Sequence, residues 1–116
     1  MSQHDDVVSL KHILDHAREA VAMVHEKIRK DLESDRILSL ALVRLLEIIG
    51  EAANRVSKEG RMRYPQIPWL PIVSLRNRLI HGYDSVDMDI LWGIIKGDLP
   101  PLIAELERIF LELAGK

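Results

Sequence analysis

The stretch from Ile37 to Val56 constrains the fold most. Ile37, Leu38, Leu40, Ala41, Leu42, Val43, Leu45, Leu46, Ile48, Ile49, Ala52, Ala53 and Val56 cover most of the circumference of a helix expected over Asp35–Lys58. A helix that is apolar nearly all round lies at the centre of its fold or is shared with a second chain. Its polar residues, Arg44, Glu47, Glu51, Arg55 and Lys58, fall on one line. Gly50 sits in its interior, where glycine costs about 1 kcal/mol relative to alanine. A close helix crossing is the expected reason.

The remaining segments supply helices to pack around this one. Over Asp5–Lys30, Val7, Leu10, Leu14, Ala17, Val21, Val24 and Ile28 recur at spacings of three and four, one stripe of an amphipathic helix. Asp5 and Asp6 suit its positive end, and Lys27, Arg29 and Lys30 its negative end. In the polar break that follows, Asp31 or Ser34 can cap the central helix. Glu59 to Ile67 reads as a loop, with Gly60 and Pro65. A third helix then starts at Pro68, with Trp69, Ile72, Val73, Leu75, Leu79 and Ile80 buried, and ends near His81 with Gly82 as its C′ residue. After a turn capped by Asp84 or Ser85, a fourth helix starts near Val86, and Gly97, Pro100 and Pro101 kink or break it. No strand pattern rises above this periodicity. The expectation is one all-α domain over residues 1–116, a four-helix bundle with an interrupted last helix.

Composition removes several function classes. A net charge of −2 gives the whole molecule no strong attraction for nucleic acid. The chain has no cysteine, which excludes disulfide and thiolate chemistry and fits a reducing cytoplasm. Its acidic start has no apolar signal-peptide core, and the apolar run from Ile37 to Gly50 is too short and too charged to span a membrane.

Charge is concentrated all the same. Between Arg55 and Arg78 stand six basic residues (Arg55, Lys58, Arg61, Arg63, Arg76 and Arg78) against one acid, Glu59, while the rest of the chain holds ten basic and seventeen acidic residues. Such an island suits phosphate groups, with Arg61, Arg63 and Arg78 as RNA contacts; the alternative is a solvated face. It runs into Arg76-Asn77-Arg78-Leu79-Ile80-His81-Gly82-Tyr83. Arg76 offers a planar fork that can hold a phosphate and stabilise charge developing on it. His81 can take up and return a proton near neutrality. Asn77 can both donate and accept, which suits positioning a ribose hydroxyl. Tyr83 adds a phenolic hydroxyl just beyond the helix. This set can cleave RNA without a metal. On one ideal helix, positions five apart lie about 140° around the axis, so Arg76 and His81 need a frayed helix end or a second chain to meet. The bland alternative makes Arg76 and Asn77 capping or ion-pairing residues and His81-Gly82 a helix stop.

The pattern Arg76-Asn77-x3-His81-x-Tyr83 resembles the motif of the HEPN superfamily in the form seen in HepT toxins. Three further segments resemble that family in the same order: Leu45 to Ala53, Tyr64-Pro65-Gln66-Ile67-Pro68-Trp69, and Trp92 with Asp98-Leu99-Pro100-Pro101-Leu102. The resemblance spans nearly the whole chain. It implies a helical protomer that forms a homodimer with a cleft shared between two motifs. It also implies metal-independent endoribonuclease activity, with no cofactor, as the toxin of a toxin–antitoxin pair. The implied partner is a minimal nucleotidyltransferase antitoxin that transfers AMP to the motif tyrosine, here Tyr83. Bulk and negative charge added beside Arg76 and His81 would exclude RNA.

Other candidates carry less. His12 and His16 stand four apart, a metal-binding spacing, with no third ligand evident, so no metal site is expected. Glu51 can orient Arg76 or Arg55, or form an ordinary helical pair with Glu47 or Arg55. Trp69 and Trp92 read as core. Two non-catalytic functions compete with the nuclease: a helical companion that binds a nucleotidyltransferase, and a structural dimerisation domain.

Overall fold

The computed structural model describes residues 2–81 and 85–115. It is an all-α protein in which α3 (Arg36–Arg55) is the central element. Leu42, Leu46, Ile49 and Ala53 of α3 are fully buried, and α1 (Gln3–Met23) packs along it through Leu10, Ile13, Leu14, Ala17 and Ala20. The all-round apolarity of α3 has a second component: Ile37 and Leu40 are exposed.

Several boundaries differ from the sequence reading, each for a local reason. α1 starts two residues early, because Ser2 and Asp5 form a reciprocal capping box. It ends at Met23 rather than Lys30: Glu26 adopts a left-handed φ of 61°, and Ile28 is exposed rather than part of the buried stripe. Breaking the helix there lets Leu32, on the short α2 (Asp31–Ser34), be buried. It also lets Arg29 reach Asp89 and Glu33, and those two hydrogen-bonded carboxylates hold its pKa above the usual arginine value. The cap of α3 is Asp35, whose carboxylate accepts from Leu38 N–H at 3.0 Å, and not Asp31 or Ser34.

The expected loop after α3 contains a helix, α4 (Lys58–Arg63), capped by Ser57. Asp6 of α1 holds this cap in place. Its buried carboxylate accepts from Ser57 N–H at 2.9 Å and from Ser57 Oγ at 2.5 Å. The expected third helix is two short ones, α5 (Trp69–Val73) and α6 (Leu75–Leu79), separated by a turn at Ser74. The Gly50 crossing is as read from the sequence: a Cβ there would lie 3.2 Å from the Ile72 carbonyl oxygen. Trp69 is buried and donates its indole N–H to Tyr64 O at 3.0 Å, while Trp92 is partly buried beneath the Lys96 ammonium.

Two two-residue strands follow, which the helical periodicity does not announce. β1 (Ile80–His81) pairs antiparallel with β2 (Ser85–Val86), Ile80 opposite Val86 and His81 opposite Ser85. Gly82, Tyr83 and Asp84 lie outside the described residues. α7 (Met88–Gly93) is capped by Asp87, whose carboxylate accepts from Ile90 N–H at 3.0 Å, and not by Ser85. The interruption of the last helix is a π-helical segment, Ile94–Asp98, before α8 (Leu99–Ala114). Its wider turn, with Leu99 N–H donating to Ile94 O, lets the chain stay helical into Pro100 and Pro101, which stand in the first turn of α8, where no N–H is needed. No helix among the described residues is long and apolar enough to cross a membrane.

Candidate functional site

Buried Leu75 and Leu79 anchor α6 against α3 and turn Arg76 and Asn77 outward. The close approach at Gly50 brings the polar line of α3 beside them. Arg76 donates from Nε to Glu47 Oε2 at 3.1 Å. Among the described residues no partner takes its two terminal nitrogens, so the fork is left for an incoming anion. Arg76 borders a depression of about 270 Å³ lined by Glu47, Gly50, Glu51, Asn54, Val73 and Asn77. Its side chain is 62% exposed, which suits a group that meets a ligand from solvent.

His81 does not line that depression. It lies on β1, beyond the end of α6, because the helix stops at Leu79 and the chain turns extended. Its ring is 64% exposed, with Nε2 3.8 Å from Asp87 Oδ2. The helical geometry that kept Arg76 and His81 apart in the sequence reading therefore gives way to a strand, yet the two do not share one pocket within a protomer. Tyr83, the proposed modification site, is outside the described residues.

The other basic residues divide by role. Arg61 is turned inward: its guanidinium donates to Ala53 O at 3.2 Å and Asn54 O at 3.5 Å, tying off the end of α3, and lies over the Trp69 ring. Arg63, in the last turn of α4, is exposed. Arg78 pairs with Asp98 at 3.0 Å beside a second cavity of about 550 Å³, lined by Pro68, Ile72, Leu75, Ile94 and Leu102, and so serves a different face of α6 from Arg76. Glu51 faces the Arg76 depression, but its ionic partner is Arg44 at 3.9 Å, and the acid that engages Arg76 is Glu47, one turn earlier. His16 Nδ1 lies 2.6 Å from His12 O, and the two rings meet edge to face. Among the described residues no three His, Asp or Glu side chains are grouped to hold a metal ion.

A family model described as ribonuclease HepT-like matches residues 13–109. The chain belongs to the HepT-like ribonuclease family. It is 35% identical over 109 residues to a protein named a putative RNase from Methanocaldococcus jannaschii, covering 94% of this chain and all of that one. It is 34% identical over 105 residues to a protein named a probable ribonuclease HepT from Thermococcus cleftensis, covering 87% and 96%. A putative RNase of Caldanaerobacter subterraneus is 36% identical over 100 residues, covering 86% and 89%. No solved structure matches the chain.

Two residues that stand beside Arg76 and His81 escaped the sequence reading. Glu47 stood on the polar line of α3 together with Glu51, and only the crossing at Gly50 selects between them. Asp87 was legible as an acid three residues before Ile90, an N-cap spacing. Its proximity to His81 depends on the strand pair.

Proposed function

We propose that this HepT-like protein is a metal-independent endoribonuclease, and that it is the toxin of a toxin–antitoxin pair acting in the cytoplasm. The observation that carries the reading is the Arg76 guanidinium, held by Nε on Glu47 at the border of the depression between α3 and α6. His81 takes the proton of a ribose 2′-hydroxyl as its oxygen attacks the adjacent phosphorus. The bond to the 5′-oxygen breaks, and a protonated group, His81 of either protomer, supplies that oxygen's proton. The products are a 2′,3′-cyclic phosphate and a 5′-hydroxyl. Arg76 stabilises the charge on the pentavalent phosphorus. Asn77 positions the ribose, and Arg63, exposed in the last turn of α4, supports the RNA backbone; Arg61 and Arg78 are engaged elsewhere, by the Ala53 and Asn54 carbonyls and by Asp98.

The working unit is a homodimer. One protomer leaves His81 outside the Arg76 depression, and the exposed Ile37 and Leu40 of α3 offer apolar surface for a second copy. Tyr83 is the acceptor of AMP from a nucleotidyltransferase antitoxin, as the motif resemblance implies. Adenylates there would add anionic bulk beside His81 and block RNA.

The test is cleavage of a labelled RNA by purified protein in excess EDTA. Wild type is expected to cut, and Arg76→Ala and His81→Ala to stay folded and not cut. Equal cleavage by all three refutes the assignment. Light scattering reads the dimer. Mass spectrometry of Tyr83 after incubation with ATP and the partner enzyme reads the modification.

A further inference from the structure

We infer that Asp87 is the positioning residue for His81 and fixes which ring nitrogen handles the proton. The inference rests on the ribonuclease reading above and extends it to a residue outside the Arg-x4-His-x-Tyr motif.

Asp87 divides its carboxylate between two tasks. Oδ1 accepts from Ile90 N–H at 3.0 Å and caps α7, which pins the side chain in one rotamer. Oδ2 is then aimed at His81, 3.8 Å from Nε2. The backbone is pinned as well: Asp87 N–H donates to Leu79 O at 3.0 Å, and His81 sits opposite Ser85 in the strand pair. A cap needs one oxygen, and Ser, Thr or Asn would supply it. The second oxygen, facing the one histidine of the motif, is what capping leaves unexplained. Among the described residues, Asp87 supplies the carboxylate within 4 Å of a His81 ring nitrogen.

The chemical consequence is a choice of tautomer. An ionised carboxylate only accepts hydrogen bonds, so the nitrogen facing it, Nε2, carries the proton. Nδ1 is left with its lone pair free to accept the 2′-hydroxyl proton, and the imidazolium that forms is stabilised by Asp87. The 3.8 Å separation exceeds a hydrogen bond, and contacts of this kind commonly tighten when substrate binds.

Two substitutions separate orientation from capping. In Asp87→Asn the amide oxygen keeps the cap on Ile90 N–H, so the amide NH2 faces Nε2. Two donors cannot face each other, so the proton moves to Nδ1 and blocks the base. Asp87→Ser keeps a cap but is too short to reach the ring. Both variants are expected to melt close to wild type. In EDTA, Asp87→Asn is expected to lower kcat about 100-fold with KM within about twofold, because a wrong tautomer or a misplaced group costs on this order or more. Asp87→Ser is expected to lower kcat less. The ring nitrogens of His81, observed by 15N NMR and assigned with His81→Ala, are expected to change from protonated Nε2 in wild type to protonated Nδ1 in Asp87→Asn. An unchanged tautomer with wild-type kcat overturns the inference. So does a kcat loss that merely parallels a fall in melting temperature, since that is a capping effect. If wild type cleaves no RNA, the ribonuclease reading fails, and the tautomer measurement still decides whether Asp87 orients His81.

Discussion

Gly60→Ala is expected to destabilise this protein, against the usual trend. In a helix, replacing glycine by alanine ordinarily stabilises by about 0.5–1 kcal/mol. A Cβ at position 60, however, would lie 2.5 Å from Asp6 Oδ2 and 2.8 Å from Val56 Cγ1. Neither neighbour moves freely. Asp6 is 2% exposed and bound to Ser57 through both N–H and Oγ, and Val56 is 3% exposed. Displacing the carboxylate sacrifices at least one charge-assisted hydrogen bond, about 1.5–3 kcal/mol. Crowding Val56 adds about 1–3 kcal/mol. After the alanine gain is subtracted, the net loss is about 3 kcal/mol, or roughly 10 °C in melting temperature for a chain of this size. Urea and thermal unfolding at fixed protein concentration measure it. Asp6→Ala is destabilising by itself, yet in that background the clash with the carboxylate is gone. Gly60→Ala then loses about 1.5–3 kcal/mol of its effect, a coupling within the range for residues in contact. An equal or higher melting temperature for Gly60→Ala, or strict additivity with Asp6→Ala, would refute the reasoning.

Two further outcomes follow from the way the charged groups are used. Arg61→Ala is expected to lower stability by about 1 kcal/mol through the lost carbonyl contacts at the end of α3, whereas Arg63→Ala is expected to leave the melting temperature unchanged and weaken RNA binding in a salt-dependent way; filter binding across ionic strength and thermal melts check both. Glu47→Ala frees the Arg76 guanidinium, and kcat is expected to fall about 10-fold or more while RNA binding holds or tightens, since an acid beside the phosphate has gone; steady-state kinetics in EDTA with melts of the same samples read the split.

The amino-acid sequence by itself determined the helical class, the centrality of α3, the helix crossing at Gly50 and the family. Each of these is written in local spacing: apolar residues every three or four positions, a glycine in an otherwise strong helix former, and a polar motif with fixed intervals. Spacing also put forward the candidate site residues, Arg76, Asn77 and His81. Tertiary structure alone decided where those side chains stand and what holds them. Leu79 is the last helical residue before a strand pair, so His81 leaves the helix on which sequence geometry had placed it. Glu47 rather than Glu51 meets Arg76, because helix crossing angle and depth select between two acids one turn apart on the same line. Arg61, one cation of a basic island by count, turns inward to the Ala53 and Asn54 carbonyls at the end of α3. The physical reason is common to all three. Periodicity reports which face of an element is buried, but hydrogen bonds and ion pairs depend on distances of a few ångströms between separate elements, and those distances are set only when the elements pack together.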